Sequence, residues 1–208
     1  MIELLTADTP NGKKISIMLE EIGYQYKLTK IDISNGEQFK PEFVKLSPFS
    51  KIPIIVDHDK NETIFESGAI LIYLGEKSGK FYDNENRLKI NQWLMAQMGY
   101  VGPMIGQHHQ FHHYNSGKSK FGEERYFKIT KRIYQELDHR LNESKFLAGE
   151  KYTIADIATW PWIARHEWHD IGLKDYKNLS RWYLEIANRK AVIKGYDLYK
   201  NGSIVPKI

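Results

Sequence analysis

The spacing of apolar residues changes once along this chain of 208 residues, near residue 80, and this change limits the folds open to it. Before it, short apolar runs typical of strands alternate with helical patterns. Beyond residue 87, apolar residues recur only at helical spacing. We therefore expect a first domain that mixes strands and helices, followed by an all-helical domain.

The first domain is predicted to have the order βαβ-ββα. The predicted strands are Ile2–Ala7, Tyr24–Ile33, Ile52–Val56 and Thr63–Phe65. A helix with the apolar stripe Ile15, Met18, Leu19 and Ile22 separates the first two strands, so they are expected to run parallel. The last two strands can form a hairpin. The predicted boundaries are 1–79 for this domain, 80–87 for a linker and 88–208 for the helical domain.

Composition excludes several classes of chemistry. The chain has no cysteine, which excludes disulfides, thiolate metal sites and a cysteine nucleophile. Its net charge is +4, but basic and acidic residues are interspersed, so nucleic-acid binding is not expected. No apolar run reaches the length of a membrane span, and the N-terminus lacks signal-peptide features. A cytoplasmic protein without membrane or nucleic-acid partners is expected.

The segment Thr9-Pro10-Asn11-Gly12 fills the gap between the first strand and the first helix. Such a junction presents backbone N–H groups and the positive end of a helix dipole, and it therefore favours an anion. Thr9 and Asn11 add two side-chain donors, which would favour the thiolate form of a bound thiol. An ordinary capped turn is the alternative interpretation.

Two more positions have the character of a binding site. Pro53 lies at the start of an apolar strand, where a cis bond would turn the N–H and C=O of Ile52 toward an extended peptide. Glu66 and Ser67 precede the next helix, and together they suit the ammonium and carboxylate groups of an amino acid. An edge-strand proline and a simple capped helix are the alternatives.

Taken together, these features resemble the glutathione transferase superfamily along nearly the whole chain. The segments TPNGKKISIMLEE, GEQFKPEFVKLSPFSKIPIIVD, FESGAILIYLGEKSGKF, GPMIGQ and YTIADIATWPW are most similar to its bacterial Nu class. The resemblance implies an α/β thioredoxin-like N-terminal domain with a mixed four-stranded sheet and an all-α C-terminal domain. It also implies a homodimer that uses glutathione as co-substrate and no metal.

The resemblance also implies a role for each candidate residue. Thr9 would lie beside the glutathione sulfur, with Asn11 as a second donor. Gln38 and Lys51 would hold the glycine end of the tripeptide. Ile52, held by Pro53, would pair through its backbone with the cysteinyl part.

At the other end of the tripeptide, Glu66 and Ser67 would hold the γ-glutamyl group. Arg125 matches a family arginine near the carboxylates of the ligand, although its helical spacing also permits an ion pair with a neighbouring acid. The class is associated with glutathione-dependent disulfide-bond reduction. Conjugation of glutathione to electrophiles and a non-catalytic binding module are the alternatives.

Two motifs have structural explanations that we prefer. Thr153-Ile-Ala-Asp156 fits a capping box that starts a buried helix. The segment Gly106–His113 contains four histidines with spacings that would allow metal binding on a helix, but no carboxylate or cysteine completes a motif. We expect a polar helix end there.

Overall fold

The computed structural model describes residues 1–208. The strands are β1 (Ile2–Thr6), β2 (Tyr26–Lys30), β3 (Ile54–Asp57) and β4 (Glu62–Phe65). The helices are α1 (Pro10–Ile22), α2 (Pro41–Val44), α3 (Ser67–Ser78), α4 (Arg87–Ala96), α5 (Gly102–His108), α6 (Lys120–Glu143), α7 (Ile154–Ile163), α8 (Lys177–Ala187) and α9 (Lys190–Tyr196). Helical turns of 3₁₀ type cover Glu37–Phe39, His166–Trp168 and Leu173–Asp175, and π-helical stretches cover Gln97–Val101 and His109–Tyr114.

The chain divides into two compact units. The first contains residues 1–80 and 190–204, and the second contains residues 81–189 and 205–208. The predicted linker at 80–87 stays a prediction. The return of residues 190–204 to the first unit is a feature that the apolar spacing did not indicate.

The first unit contains a mixed sheet with the strand order β2-β1-β3-β4. The β1 and β2 strands are parallel, whereas β3 is antiparallel to both β1 and β4. This confirms the predicted fold class. The third strand begins at Ile54 and not at the predicted Ile52, because Pro53 has no N–H to donate to a ladder. The predicted stripe of α1 is buried, as are alternate residues of β1.

The returning segment packs on α1 through polar contacts. Lys13 is 1% exposed, and its ammonium donates to the Tyr196 carbonyl oxygen at 2.5 Å and pairs with Asp8 at 2.7 Å. The Ser16 hydroxyl donates to the Gly195 carbonyl oxygen at 2.6 Å. A Cβ on Gly195 would lie 2.6 Å from the Ile17 Cα, so α9 contacts α1 at backbone distance.

The second unit is helical, as predicted, and α7 lies in its core. The predicted capping box is confirmed: the Thr153 side chain accepts from the Ala155 N–H, and Asp156 accepts from the Thr153 N–H. Asp156 also accepts from the Leu147 N–H and the Trp182 indole, each at 2.9 Å. None of the helices in the chain is both long enough and apolar enough to cross a membrane.

Candidate active site

The turn from β1 into α1 places Thr9 at the N-cap of the helix. Its Oγ1 accepts a hydrogen bond from the Gly12 N–H at 3.1 Å. This contact uses a lone pair of the hydroxyl oxygen and not its hydrogen. Because Thr9 is half-buried, its hydroxyl hydrogen can be donated to a group that lies at this corner.

Pro10, Asn11 and Gly12 shape this turn, and the lack of acidic residues in it favours an anion. Pro10 occupies the first helical position, where a missing N–H costs nothing, and Asn11 lies half-buried in the same turn. No acidic residue lies in the first turn of α1, so no carboxylate there offsets the positive end of the helix dipole. A Cβ on Gly12 would lie 2.2 Å from the Ala7 carbonyl oxygen, so glycine lets the helix begin directly beside the strand.

The register of the sheet brings the other two candidate corners to the same end. Leu5 pairs with Ile54, and Ile54 pairs with Phe65 across the three neighbouring strands. Pro53 and Glu66 each lie one residue beyond those pairs, at the edge where β1 also ends. The Ile52–Pro53 bond is cis, which is the geometry that the interpretation of Pro53 as part of a binding site requires.

Glu66 and Ser67 form the start of α3. Glu66 has a left-handed backbone with φ 68°, and the helix begins when its carbonyl oxygen accepts from the Ile70 N–H at 2.9 Å. Ser67 is buried, and its Oγ accepts a hydrogen bond from the Lys14 ammonium at 3.2 Å. Burial lowers the pKa of Lys14 well below its ordinary value, and the nearby Glu66 carboxylate opposes that change.

Gln38 and Lys51 lie on loops of the first unit. Gln38 is half-buried in a 3₁₀ turn, where its Nε2 donates to the Ile33 carbonyl oxygen at 3.2 Å and its Oε1 has no hydrogen-bond partner. The Lys51 side chain is exposed, and its backbone N–H donates to Ser47 Oγ at 3.2 Å. No contact joins either side chain to the Thr9 or Ser67 corner, so their assigned roles stay predictions.

Arg125 is exposed on α6 in the second unit. Its guanidinium lies 6.0 Å from the ring centroid of Tyr126 and pairs with no carboxylate. The alternative of an ion pair with a neighbouring acid is therefore not observed. Its role toward a ligand stays a prediction.

The histidine-rich segment differs from the expected polar helix end, because His108 and His109 are buried in the second unit. His109 Nε2 lies 2.8 Å from His169 Nε2, and the Tyr134 hydroxyl lies 2.6 Å from His169 Nδ1. Burial lowers the pKa of His108 to about 4 and that of His109 to about 3. No group of three or more His, Cys, Asp or Glu side chains is placed to hold a metal ion.

Comparison with known proteins bears on what this arrangement does. The family model for the glutathione S-transferase N-terminal domain matches residues 3–76, and the model for the C-terminal domain matches residues 101–190. The disulfide-bond oxidoreductase YfcG of Escherichia coli K12 is 45% identical over 198 residues, which cover 92% of each chain. The chain belongs to the glutathione S-transferase family.

Solved structures of other glutathione transferases have the same fold. One from Burkholderia graminis, with two glutathione molecules bound per subunit, is 37% identical with a TM-score of 0.90, over 97% of this chain and 89% of that one. One from Pseudomonas putida, with one glutathione disulfide bound per subunit, is 39% identical with a TM-score of 0.87, over 95% and 91%. This glutathione S-transferase is therefore similar over nearly its full length to enzymes solved with reduced and oxidised glutathione.

Sequence reasoning did not assign a role to Lys14, although a signal was present. Lys14 precedes Met18 by four residues, so helical spacing places it beside the apolar stripe of α1. A lysine at the edge of such a stripe usually extends its charged end to solvent. Here the residue is 1% exposed, and the contact with Ser67 that explains its burial lies on another helix.

Proposed function

We propose that this glutathione S-transferase is a glutathione-dependent disulfide-bond reductase of the Nu class. The observation that carries the proposal is the Thr9 hydroxyl, which has a hydrogen to donate beside the positive end of α1. A thiolate at that corner would accept this hydrogen bond. The chain contains no cysteine, so every thiol in the exchange comes from a substrate.

The relatives support this reaction over others of the family. A protein 45% identical to this chain is named a disulfide-bond oxidoreductase. Related transferases have been solved with two glutathione molecules and with one glutathione disulfide per subunit. Two thiols and their shared disulfide are the reactant and product pair that such a reduction requires.

The proposed reaction consists of two exchanges. The thiolate of one glutathione attacks a sulfur of the disulfide substrate, forms a mixed disulfide and releases the first substrate thiolate. The thiolate of a second glutathione then attacks the glutathione sulfur of the mixed disulfide, which releases the second substrate thiolate and glutathione disulfide. The two protons lost by the glutathione thiols end on the two product thiols. The protein supplies position and donors, and no covalent nucleophile.

Each part of the bound glutathione is assigned to its own candidate residues. Thr9 and Asn11 stabilise the thiolate, and Ile52, held by the cis bond to Pro53, pairs through its backbone with the cysteinyl residue. We assign the glycine carboxylate to Gln38 and Lys51. The γ-glutamyl end is assigned to Glu66 and Ser67, and Arg125 is assigned to the carboxylates of the ligand.

We further propose a cytoplasmic homodimer. Leu88 and Met95 lie seven residues apart on α4 with 75% and 51% of their surface exposed, and Phe49 is 72% exposed in the first unit. Exposed apolar side chains at one helical face are typical of an interface between subunits. Light scattering of the wild type and of Leu88→Glu tests this: a dimer that the substitution dissociates supports it, and a monomeric wild type contradicts it.

The decisive experiment assays purified protein with glutathione against two substrates, hydroxyethyl disulfide and an aromatic chloride. We expect faster turnover of the disulfide. Thr9→Ala should lower kcat for its reduction about 10- to 100-fold, because one preorganised donor to the reacting sulfur is lost. Glutathione affinity, measured by calorimetry, should change less. Thr9→Ser keeps the hydroxyl and should retain most of the activity.

The outcomes separate the alternatives. Turnover of the aromatic chloride alone would make the enzyme a conjugating transferase, and failure to bind glutathione would make it a non-catalytic module. Equal losses of rate and affinity in Thr9→Ala would remove Thr9 from thiolate stabilisation. Asn11→Ala tests the second donor: loss of a donor raises the thiol pKa, so the pH optimum should rise by about one unit. An unchanged pH profile would contradict that role.

A further inference from the structure

Lys14 is a buried lysine that the reaction described above does not use. Its side chain is 1% exposed on α1, and its ammonium lies 3.2 Å from the Ser67 hydroxyl on α3. Removing an ammonium from water is costly unless nearby groups stabilise its charge. Burial lowers the pKa of Lys14, and the Glu66 carboxylate opposes that change and favours the ammonium form.

The hydrogen bond between Lys14 and Ser67 has a fixed direction. An ammonium group only donates, so the Ser67 oxygen is the acceptor of this bond. The hydrogen of the Ser67 hydroxyl must then point away from Lys14. Lys14 therefore orients the Ser67 hydroxyl as a donor toward the side of the α3 N-terminus that does not face α1.

Charge gives Lys14 a second effect at this corner. Glu66 suits the ammonium of an amino acid, but its negative charge repels a carboxylate bound at the adjacent Ser67. The ammonium form of Lys14, which both the Glu66 carboxylate and a bound carboxylate favour, offsets that repulsion from behind Ser67. Its effect is large because little water screens it. One corner can then accept both charged groups of the same amino acid.

We propose that Lys14 is a positioning residue that makes the Ser67 corner selective for the α-carboxylate of the γ-glutamyl group. This inference rests on the proposed binding of glutathione and adds a residue that does not contact the ligand. Lys14 acts through Ser67, whose hydroxyl it orients, and through the charge of Glu66, which it offsets.

Lys13 is the matched control for this role. It is also 1% exposed on α1, but its ammonium pairs with Asp8 at 2.7 Å and donates to the Tyr196 carbonyl oxygen. Its charge is therefore compensated by the Asp8 carboxylate, and its hydrogen bond to Tyr196 joins α1 to α9. Lys13→Met removes a buried ammonium from the same helical turn without changing the Ser67 corner.

The test measures binding of three ligands to the full-length wild type, Lys14→Met and Lys13→Met by calorimetry. The ligands are glutathione, an analogue with γ-aminobutyryl in place of γ-glutamyl, which lacks only the α-carboxylate, and a glutaryl analogue, which lacks only the ammonium. In Lys14→Met, affinity for glutathione and the glutaryl analogue should fall about 10- to 100-fold, as expected for loss of charge-assisted binding. Affinity for the γ-aminobutyryl analogue should fall by less than about twofold.

Lys14→Gln is the second variant, and it decides the question if Lys14→Met does not fold. Its amide keeps a donor for Ser67 but not the charge, so we expect the same ligand selectivity with a smaller loss. Lys13→Met should preserve the affinity ratio between glutathione and the γ-aminobutyryl analogue. Equal losses for all three ligands in the Lys14 variants, or no loss, would overturn the inference. A wild type that does not bind glutathione would instead overturn the proposed function.

Discussion

The two units bury ionisable side chains in opposite ways. In the first unit, the buried Lys13 pairs with Asp8 and the buried Asp57 pairs with Lys77, whereas the buried Lys14 donates to the Ser67 hydroxyl. In the second unit, His109 and His169 contact each other as neutral rings, and Asp156 is surrounded by uncharged donors. The unit that is proposed to bind a charged tripeptide is thus the one that holds buried cations.

The two buried aspartates, one in each unit, differ in pKa. Asp57 and Asp156 are both 0% exposed. Burial raises the pKa of Asp57, but the hydrogen bonds from Lys77 and Tyr73 outweigh it and bring the pKa to about 2. Burial raises the pKa of Asp156 to about 6, because its hydrogen bonds come only from neutral groups. At Asp57 the hydrogen-bond donors, one of them cationic, together outweigh burial, whereas at Asp156 the neutral donors do not.

The largest expected effect is a loss of stability on acidification. The second unit should lose stability at a higher pH than the first. The pKa values of about 4 for His108 and about 3 for His109 lie below the ordinary 6.5, so the folded state resists protons that the unfolded state binds. The stability that these two neutral histidines contribute is therefore fully present above pH 6.5, and it is lost as the pH decreases toward 4. Asp156 acts in the opposite sense between about pH 4 and 6, because the folded state keeps its proton longer. Burial also lowers the pKa values of His169 and His166, which adds to the loss, so the net effect of acidification is destabilisation.

Hydrogen exchange, corrected for the intrinsic effect of pH, measures this in each unit. Exchange should accelerate in residues 81–189 between pH 6.5 and 4. Residues 1–80 should remain protected over that interval, because Asp57 stays ionised and its contribution is lost only between about pH 4 and 2. Equal acceleration of exchange in both units would contradict the proposed difference between them.

The second effect in size concerns the charge pair of the first unit. Lys77→Met should destabilise the protein by about 3 kcal/mol at pH 7, because it leaves the buried Asp57 carboxylate without its cation. Urea denaturation measures the loss. The double variant Asp57→Asn, Lys77→Met removes both charges and should recover part of it, whereas a single variant as stable as the wild type would show that the pair is unimportant.

The smallest expected effect compares the two threonine caps. The Thr153 hydroxyl accepts from the Ala155 N–H and donates to Asp156, whereas the Thr9 hydroxyl only accepts, from the Gly12 N–H. Thr153→Ala should therefore cost about 1 to 2 kcal/mol and leave kcat unchanged. Thr9→Ala should cost less than about 1 kcal/mol but lower kcat. Loss of activity in Thr153→Ala, with kcat unchanged in Thr9→Ala, would contradict these two roles.

Sequence patterns predicted those parts of the molecule that depend on local spacing. The stripe of α1 and the capping box at Thr153 follow from periodicities and caps within one element, and both were confirmed. The mixed four-stranded sheet, which the family resemblance implied, was also confirmed. Pro53 raised the question of a cis bond, which one residue in its strand left open and the structure answers. The candidate site was assembled from three such local signals, and the residue roles within it remain predictions.

Features that depend on partners far along the chain were missed. Spacing shows that a residue is buried, but it does not show which element covers it. His109 is buried against His169, which is 60 residues away, and Lys14 reaches Ser67 across 53 residues. The packing of α9 on α1 joins residues more than 170 positions apart, such as Ser16 and Gly195.

The contacts between α9 and α1 have a consequence for biosynthesis. A ribosome releases residues 1–80 long before residues 190–204, yet both segments belong to one compact unit. Until translation reaches Tyr196, the ammonium of Lys13 lacks the carbonyl oxygen that accepts its hydrogen bond in the finished molecule. The half of the enzyme that is made first is therefore completed only after residues 81–189 have also been made.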